Sequence, residues 1–206
     1  MSKVILITGG SSGIGKAIAT YLSKNNSYIV YGSSRDLKKL ENVSFLPIKL
    51  DVTSEESISE CVQKIIKDQG RIDVLINNAG VGITGPLEET PHAEIEKHFK
   101  TNLYGPINLI KTVLPYMRKN NSGLIINITS IAGHIGTPFR SIYSAGKSSL
   151  DIISETLNME TKDFNINVVC VAPGDYLTNI SKGRFHSPVI QGSPYEFKYN
   201  SSLNKM

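Results

Sequence analysis

A tyrosine and a lysine four residues apart, Tyr143 and Lys147 in the stretch SIYSAGKSSL, have the types and spacing that could do chemistry. On a helix, two side chains at this spacing lie on one face. Because an ammonium beside a phenol favours the phenolate, Lys147 is expected to lower the pKa of Tyr143 from its ordinary value of about 10. Such a tyrosine can give or take a proton near neutral pH. By itself a Tyr-x-x-x-Lys pair is more often a surface pair. Whether this pair is functional therefore depends on which other polar groups the fold brings close to it.

Two strand-like runs end in polar groups that could join this pair. Ser130 ends the run GLIINITS, thirteen residues before Tyr143, and the stretch NNAG at 77–80 ends another run. In open parallel sheets, ligands bind outside the carboxyl ends of the strands. We therefore expect these groups to lie at one edge of a sheet, with the tyrosine and the lysine beside them.

A glycine-rich turn follows the first apolar run, in VILITGGSSGIGKAIATYL. Gly9, Gly13 and Gly15 have the spacing G-x-x-x-G-x-G, and Ser11 and Ser12 can add hydroxyl donors. A helix that begins directly after a strand presents free N–H groups and the positive end of its dipole. A pyrophosphate can reach them where glycines bring the backbone close. The turn predicts a dinucleotide site; the alternative is a plain glycine-rich connection.

The second strand-like run ends in YGSSRD, the point that faces the adenosine ribose in dinucleotide-binding folds. An acidic residue there accepts the 2′-hydroxyl of NAD, whereas an arginine accommodates the 2′-phosphate of NADP. Ser34 and Arg35 come first here, and Asp36 follows. Because a guanidinium pairs well with a phosphate, we predict NADP(H) rather than NAD(H). The alternative is a solvated arginine at the start of a helix.

Short apolar runs alternate with longer amphipathic stretches along the whole chain. This alternation predicts an α/β fold with a doubly wound, Rossmann-like parallel sheet in a single domain. Most runs are apolar throughout, as in strands covered on both faces. Pro106 and Pro115 are expected to interrupt or kink the third helix. The predicted strands are 3–8, 27–32, 43–50, 73–78, 123–130 and 165–173, and the predicted helices are 14–25, 54–69, 90–119 and 141–164.

The composition is that of an ordinary globular domain. The chain has 206 residues, of which 40% are hydrophobic and 19% charged. The net charge of +4 is mild and scattered, which argues against a nucleic-acid partner, and no apolar run approaches the roughly 18 residues of a membrane helix. Cys61 and Cys170 fall in the patterns of a helix and a buried strand, without disulfide or metal-ligand spacing. We therefore predict a cytoplasmic protein without a metal.

Taken in chain order, these motifs resemble those of the classical short-chain dehydrogenase/reductase family. The resemblance covers about residues 3–180, and the complete set of motifs is far more specific than any one of them. The motifs are TGGSSGIG at 8–15, Asp51-Val52, NNAG at 77–80, Asn102, Ser130, Tyr143-x-x-x-Lys147 and PGDYLT at 173–178.

The resemblance implies hydride transfer between a nicotinamide cofactor and a carbonyl or secondary alcohol, with four catalytic residues. Tyr143 would be the acid/base, and Lys147 would lower its pKa and bind the nicotinamide ribose. Ser130 would hold the substrate oxygen. Asn102 would hold a water that links Lys147 to solvent.

The resemblance also implies which residues bind the cofactor. Residues 51–52 would contact the adenine, residues 78–80 the adenosine ribose and residues 173–178 the nicotinamide, whereas Asn77 would brace the sheet. The full set is Gly9, Ser11, Ser12, Gly13, Ile14, Gly15, Ser34, Arg35, Asp51, Val52, Asn78, Ala79, Gly80, Tyr143, Lys147, Pro173, Gly174, Tyr176 and Thr178.

Five further residues are expected near the substrate by the same resemblance. His134 and Phe139 would border it, with plain loop packing as an even alternative. Phe185, His186 and Tyr195 fall in the lid region, and their apolar character favours a hydrophobic substrate.

Two predictions concern surfaces. His92 and His98 lie in a polar helical pattern and are expected to be exposed. The two long helices after residue 90 have apolar faces that would form the family's dimer interface, so a homodimer is predicted; packing against the sheet alone is the alternative.

The end of the chain is the least regular part. After Gly174 no clear strand is predicted, although the family continues through a lid helix, another helix and a seventh strand. We therefore expect a dinucleotide-binding catalytic part at 1–180, a partial lid segment of the same domain at 181–206, and a sheet without its last edge strand. A non-catalytic dinucleotide-binding protein and an inactive truncated fragment are alternatives to the enzyme. A nucleotide-sugar epimerase is disfavoured by the glycine spacing.

Overall fold

A six-stranded parallel sheet forms the centre of the molecule in the computed structural model, which describes residues 2–174 and 183–204. The strand order is β3-β2-β1-β4-β6-β7, so the chain leaves β1 in one direction and then continues from β4 in the other. The strands of the described chain are β1 (Lys3–Ile7), β2 (Tyr28–Ser34), β3 (Leu46–Lys49), β4 (Val74–Asn77), β5 (Ile83–Thr84), β6 (Gly123–Ile128), β7 (Ile166–Val171) and β8 (Phe185–His186). The reversal between β1 and β4 opens a crevice at the carboxyl ends of the strands.

Helices cover both faces of this sheet, which confirms the predicted doubly wound fold. On one face, α2 and α4 bury side chains such as Val62 and Val113 in the larger apolar cluster. On the other face, Ala19 of α1 packs against Ile5 and Val30. The helices are α1 (Gly13–Leu22), α2 (Glu55–Gln69), α3 (His92–Phe99), α4 (Gly105–Lys119), α5 (Ser141–Glu160) and α6 (Glu196–Leu203).

The predicted helix at 90–119 is divided by one turn of π-helix at Lys100–Tyr104. Pro106 follows this turn as a first-turn residue of α4, where its missing N–H is tolerated. Pro115 lies inside α4, which continues to Lys119. The interruption therefore lies just before the first proline, and single π turns of this kind are frequent at functional sites.

The last strand of the sheet, β7, differs from the prediction of a covered strand. It lies at the outer edge, and no other strand of the described residues pairs with its free side. Ile166 and Val168 are buried, but Val169, Cys170 and Val171 are exposed. The prediction that Cys170 is buried was therefore wrong, because apolar sequence does not distinguish a central strand from an edge strand.

The segment after residue 183 contains more regular structure than predicted. β8 pairs in parallel with β5, and α6 follows it. Tyr199 of α6 is buried, and its hydroxyl donates to the Thr84 and Ser187 carbonyls at 3.1 Å each. The prediction of no strand after Gly174 was therefore wrong. The proposed boundary at residue 180 lies outside the described residues, and the lid assignment stays a prediction.

Candidate active site

The glycine turn forms a cradle between β1 and α1. Gly9 and Gly13 have φ angles of +70° and +53°, a region that favours glycine. A Cβ on Gly15 would overlap the Asn78 amide and the Gly9 carbonyl. Ser12 is the N-cap of α1, and no side chain of the described residues caps this helix end. Backbone N–H groups therefore remain for a ligand, and the close approach of the chain suits a phosphate.

Thr8 joins this cradle to the NNAG loop, a role that the sequence analysis did not assign. Its Oγ1 accepts hydrogen bonds from the amides of Asn78 and Ala79, at 2.9 Å each. The Asn78 side chain donates to the Thr8 carbonyl at 2.8 Å. These bonds fix the ends of β1 and β4 against each other. At the end of β4, the Asn77 side-chain Nδ2 donates to Asn127 Oδ1 at 2.8 Å. This bond joins β4 to β6, which agrees with the expectation that Asn77 braces the sheet.

Charged side chains surround the part of the cleft where the adenosine is predicted to lie, called the adenosine end below. Arg35 and Lys39 line it from the segment after β2. The Asp36 carboxylate also borders it but accepts from the Lys38 amide at 3.0 Å, capping a short 3-10 turn. Partial burial would raise the pKa of Asp51, but hydrogen bonds from Thr53 and the charge of Arg35 outweigh it and hold that pKa below its usual range. The adenosine end of the cleft therefore presents two cations, Arg35 and Lys39, together with the carboxylates of Asp36 and Asp51.

Lys147 lines the part of the cleft where the catalytic residues are predicted to lie, called the catalytic end below. Its side chain is only 5% exposed, and Nζ donates to the Ile128 carbonyl at 2.7 Å. Burial lowers the pKa of this ammonium to about 8, opposed by the neighbouring Asp151 and Cys170. A lysine held in this way has a fixed position and a weakened hold on its proton, both useful for proton transfer.

Asn102, from the π turn, holds the loop after the NNAG motif. Its Nδ2 donates to the Val81 carbonyl and its Oδ1 accepts from the Val81 amide, at 2.8 Å each. Gly80 lies between Asn102 and Lys147: a Cβ there would be 3.3 Å from Asn102 Oδ1 and 3.8 Å from Lys147 Nζ. The π turn and α5 thus bring a buried amide and a buried ammonium close to the same glycine.

Ser130 and Tyr143 face the same cleft of about 690 Å³ as the glycine turn. Ser130 follows β6, and its Oγ accepts from the Ala132 amide at 3.2 Å. Tyr143 is half-buried in the first turn of α5. The predicted residues that line the cleft are Gly9, Ser11, Ser12, Gly13, Ile14, Ser34, Arg35, Asp51, Val52, Asn78, Ala79, Gly80, Ser130, Tyr143, Lys147, Pro173 and Gly174.

The other predicted site residues have different positions. Gly15 and Asn102 are not among the cleft-lining residues of the described chain, but Gly15 lies against Gly9 and Asn102 is bonded to Val81, which both line the cleft. That Asn102 holds a water stays a prediction. Tyr176 and Thr178 lie outside the described residues. Cleft-lining residues that the sequence analysis did not assign include Asp36, Lys39, Thr53, Val81, Gly82, Ile83, Thr101, Thr129, Arg140 and Arg184. Several of these follow a motif directly, which is the only signal that could have found them.

His98 is buried rather than exposed, so that prediction was wrong. It is 1% exposed, whereas His92 lies on the surface as predicted. Its ring contacts the Tyr143 ring at a centroid distance of 5.9 Å. Burial and the nearby Lys147 charge lower its pKa to about 4, although the Val81 carbonyl opposes this. The error arose because α3 packs on α5, a contact that a single helical pattern does not reveal.

Neither of the two loop residues expected beside the substrate is among the cleft-lining residues of the described chain. His134 lies 3.7 Å from Asp151, measured from Nε2 to Oδ2. Phe139 has a φ of +64°; its carbonyl accepts from the Gly85 amide and the Thr84 hydroxyl, and its ring packs on Tyr199. Phe139 therefore connects the loop to the segment after residue 183.

The three lid-region residues lie around this connection. Phe185 and His186 form β8, and burial and the charges of Arg184 and Arg140 lower the pKa of His186. The Tyr195 hydroxyl donates to Glu88 at 2.7 Å. Whether they contact substrate stays a prediction.

Within residues 2–174 and 183–204, no group of three or more His, Cys, Asp or Glu side chains is arranged to hold a metal ion. Over the same ranges, no helix is both long and apolar enough to cross a membrane.

Comparison with known proteins identifies the family. The family model described as short chain dehydrogenase matches residues 3–188. A 3-ketodihydrosphingosine reductase of Bacteroides thetaiotaomicron is 46% identical over 203 residues, which cover 98% of this chain and 74% of that relative.

Solved structures agree with this match. A short-chain dehydrogenase from Streptomyces avermitilis superposes with a TM-score of 0.90 at 33% identity, covering 100% of this chain and 77% of that one. ElxO with NADP bound superposes with a TM-score of 0.81 at 36% identity, covering 88% and 77%. The chain thus spans about three quarters of the length of each. The chain belongs to the classical short-chain dehydrogenase/reductase family, a family of oxidoreductases.

Proposed function

We propose that this chain is an NADP(H)-dependent oxidoreductase that interconverts a carbonyl and a secondary alcohol, with Tyr143 as the acid/base. The observation that carries the proposal is the position of Lys147, buried one helical turn from Tyr143 and tied to the Ile128 carbonyl. A buried ammonium beside a half-exposed phenol in a cleft has a clear use in proton transfer and little structural benefit.

The proposed roles of the residues are supported by their positions. The Ser130 hydroxyl, at the end of β6, would donate to the substrate oxygen and orient it toward Tyr143. Tyr143 Oη would hold the proton that is given to or taken from this oxygen. Lys147 would stabilise the phenolate, and Asn102 would keep the loop at Gly80 and Val81 in place. The bound nicotinamide would supply or accept the hydride.

The preference for NADP(H) is supported by the charges at the adenosine end. Arg35 and Lys39 are both exposed there and can pair with a 2′-phosphate. Asp36, the carboxylate that could instead bind a ribose hydroxyl, already accepts a hydrogen bond from the Lys38 amide. A related structure contains NADP.

Fluorescence titration with NADPH and NADH tests the cofactor. The wild-type chain should bind NADPH at least tenfold more tightly than NADH. Arg35→Ala should remove most of that difference, whereas Lys38→Ala, a neighbouring exposed cation away from the cleft, should keep it. Equal affinity of the wild-type chain for both cofactors would reject the preference.

For the substrate, we propose a hydrophobic ketone. Ile131 and Ile135 are exposed in the loop that follows Ser130, and the relative that is 46% identical is named for 3-ketodihydrosphingosine. That compound is the first to test, followed by a panel of apolar ketones, with NADPH oxidation as the readout.

Tyr143→Phe tests the acid/base. It should reduce turnover at least about a hundredfold while NADPH still binds. Tyr21→Phe, which removes a hydroxyl from an exposed tyrosine of α1, is the matched control. Undiminished turnover by Tyr143→Phe would overturn the assignment.

We also propose a cytoplasmic homodimer. Ile152 and Met159 of α5 and Tyr104 before α4 are large apolar side chains left exposed. The cytoplasmic location is supported by Cys61 and Cys170, which are both free thiols, as is usual in a reducing compartment. Ile152→Glu should convert the dimer to a monomer in light scattering; a wild-type monomer would contradict the proposal.

A further inference from the structure

His98 is a buried histidine that the proposed mechanism does not use. It lies in the last turn of α3, four residues before Asn102. Both of its ring nitrogens are 3.4 Å from Asn102 Nδ2, and its ring lies 5.9 Å from the ring of Tyr143. It therefore contacts two residues of the proposed site and, within the residues that the structure describes, does not itself line the cleft.

Gly146 provides the space for this imidazole. A Cβ on Gly146 would be 2.8 Å from His98 Nε2, which is closer than real Cβ atoms approach, and 3.4 Å from His98 Cδ2. Gly146 directly precedes Lys147 and lies three residues after Tyr143. A larger residue at 146 would push either the imidazole or this part of α5 away, and α5 carries both residues of the proposed proton-transfer pair.

The charge state of His98 suits this position. Burial and the Lys147 charge hold its pKa at about 4, so the ring is neutral at working pH. The groups that contact it include Tyr143, Asn102, the Val81 carbonyl and the Phe99 ring, and the charge that acts on it is that of Lys147. A neutral ring adds no second cation beside Lys147 and can still exchange hydrogen bonds with the Asn102 amide.

We infer that His98 is a positioning residue of this oxidoreductase: its neutral imidazole, seated in the gap at Gly146, orients the Tyr143 ring and the Asn102 amide for the reaction. This inference rests on the proposed function, because it gives His98 a task only if Tyr143 transfers the proton. It differs from simple core packing, since it requires both the shape and the hydrogen-bonding capacity of the side chain.

Two variants of His98 separate positioning from packing. His98→Leu keeps apolar bulk and loses the ring nitrogens, whereas His98→Gln keeps a polar group that can reach Asn102. We expect kcat to fall about tenfold in His98→Leu and less than threefold in His98→Gln. The dissociation constant of NADPH should stay within twofold in both. Equal kcat in the wild-type chain and His98→Leu, or equal losses in the two variants, would overturn the inference.

A double-mutant cycle tests the fit between His98 and Gly146. Gly146→Ser should lower kcat and the thermal unfolding midpoint, because the new side chain meets the imidazole. Adding His98→Ala should restore a substantial part of the unfolding midpoint, since it removes the obstructing ring, whereas kcat should stay low because the positioning imidazole is absent. Gly136→Ser, at an exposed glycine whose Cβ would meet no atom within 4 Å, is the matched control for the unfolding midpoint and should leave it unchanged. Ala93→Ser, at an exposed position of α3, is the control for kcat and should leave kcat unchanged. Strictly additive losses in the cycle would show that the two positions do not share one space.

The measurements distinguish failure of this inference from failure of the proposed function. If Tyr143→Phe stays fully active, the proposed function and the positioning role both fail, while the unfolding midpoints still report on the fit between His98 and Gly146. If Tyr143→Phe is inactive and His98→Leu is unaffected, only the inference about His98 fails.

Discussion

The adenosine end and the catalytic end of the cleft are built in different ways. At the adenosine end, a ligand would meet the backbone at Gly9 and the exposed side chains of Arg35 and Lys39. At the catalytic end, Lys147 and Asn102 are buried, and each is bound to a backbone group from a distant part of the chain. Exposed charges contribute little each, whereas a buried polar group that loses its partner is costly. Cofactor affinity should therefore be spread over many weak contacts, and the rate should depend on a few buried groups.

Removing the buried ammonium gives the largest expected effect. Lys147→Met keeps the length of the side chain but loses the charge beside Tyr143 and the bond to Ile128. We expect kcat to fall about a thousandfold, measured as NADPH oxidation at saturating cofactor. Lys119→Met, at an exposed position near the end of α4, should stay within twofold of the wild-type chain. A fall of less than tenfold in Lys147→Met would mean that the catalytic end does not depend on this buried group.

Adding one methyl group to the glycine turn should affect the adenosine end alone. A Cβ at position 15 would overlap the Asn78 amide and the Gly9 carbonyl, so Gly15→Ala must displace the cradle. We expect NADPH affinity to fall about fiftyfold in fluorescence titration, in keeping with about 1–3 kcal/mol for overpacking. At saturating NADPH, kcat should remain within threefold. A large loss of kcat with normal affinity would contradict the separation of the two ends.

Acid should destabilise the molecule through His98. In the unfolded chain His98 has its ordinary pKa of about 6.5 and is protonated below that pH. In the folded chain its pKa is about 4, so it becomes protonated only at a lower pH. Stability therefore falls as the pH drops through this window, by roughly 2 kcal/mol at pH 5. Urea unfolding at pH 7 and pH 5 should show a smaller loss in His98→Leu than in the wild-type chain. Equal losses would show that the histidine is not held neutral.

The smallest expected effect concerns an exposed cation. Lys39→Ala should weaken NADPH binding about threefold and leave NADH binding unchanged, because screened surface charges contribute at most about 1 kcal/mol. The loss should shrink as salt rises. Lys38→Ala is the control. A loss of NADPH affinity above thirtyfold would show that the affinity depends on this one exposed cation and is not spread over many weak contacts.

Most of the fold could be predicted because its signals are local. The apolar runs and amphipathic stretches identified the six strands of the main sheet and most helices, since each is long enough to show its period. The two-residue strands β5 and β8 gave no such signal, because they exist only through their pairing with each other. The exposure of Cys170 likewise depends on which strand lies at the edge of the sheet.

The sequence by itself determined the succession of strands and helices along the chain, the glycine turn, and the positions of Ser130, Tyr143 and Lys147 in that succession, because short-range spacing and strand ends decide these. Only the tertiary structure decided that His98 is buried against Gly146, 48 residues away, and that Thr8 joins the glycine turn to the NNAG loop. The physical reason is packing. A helical pattern shows which residues share a face, but what covers that face depends on elements that meet only in the folded molecule.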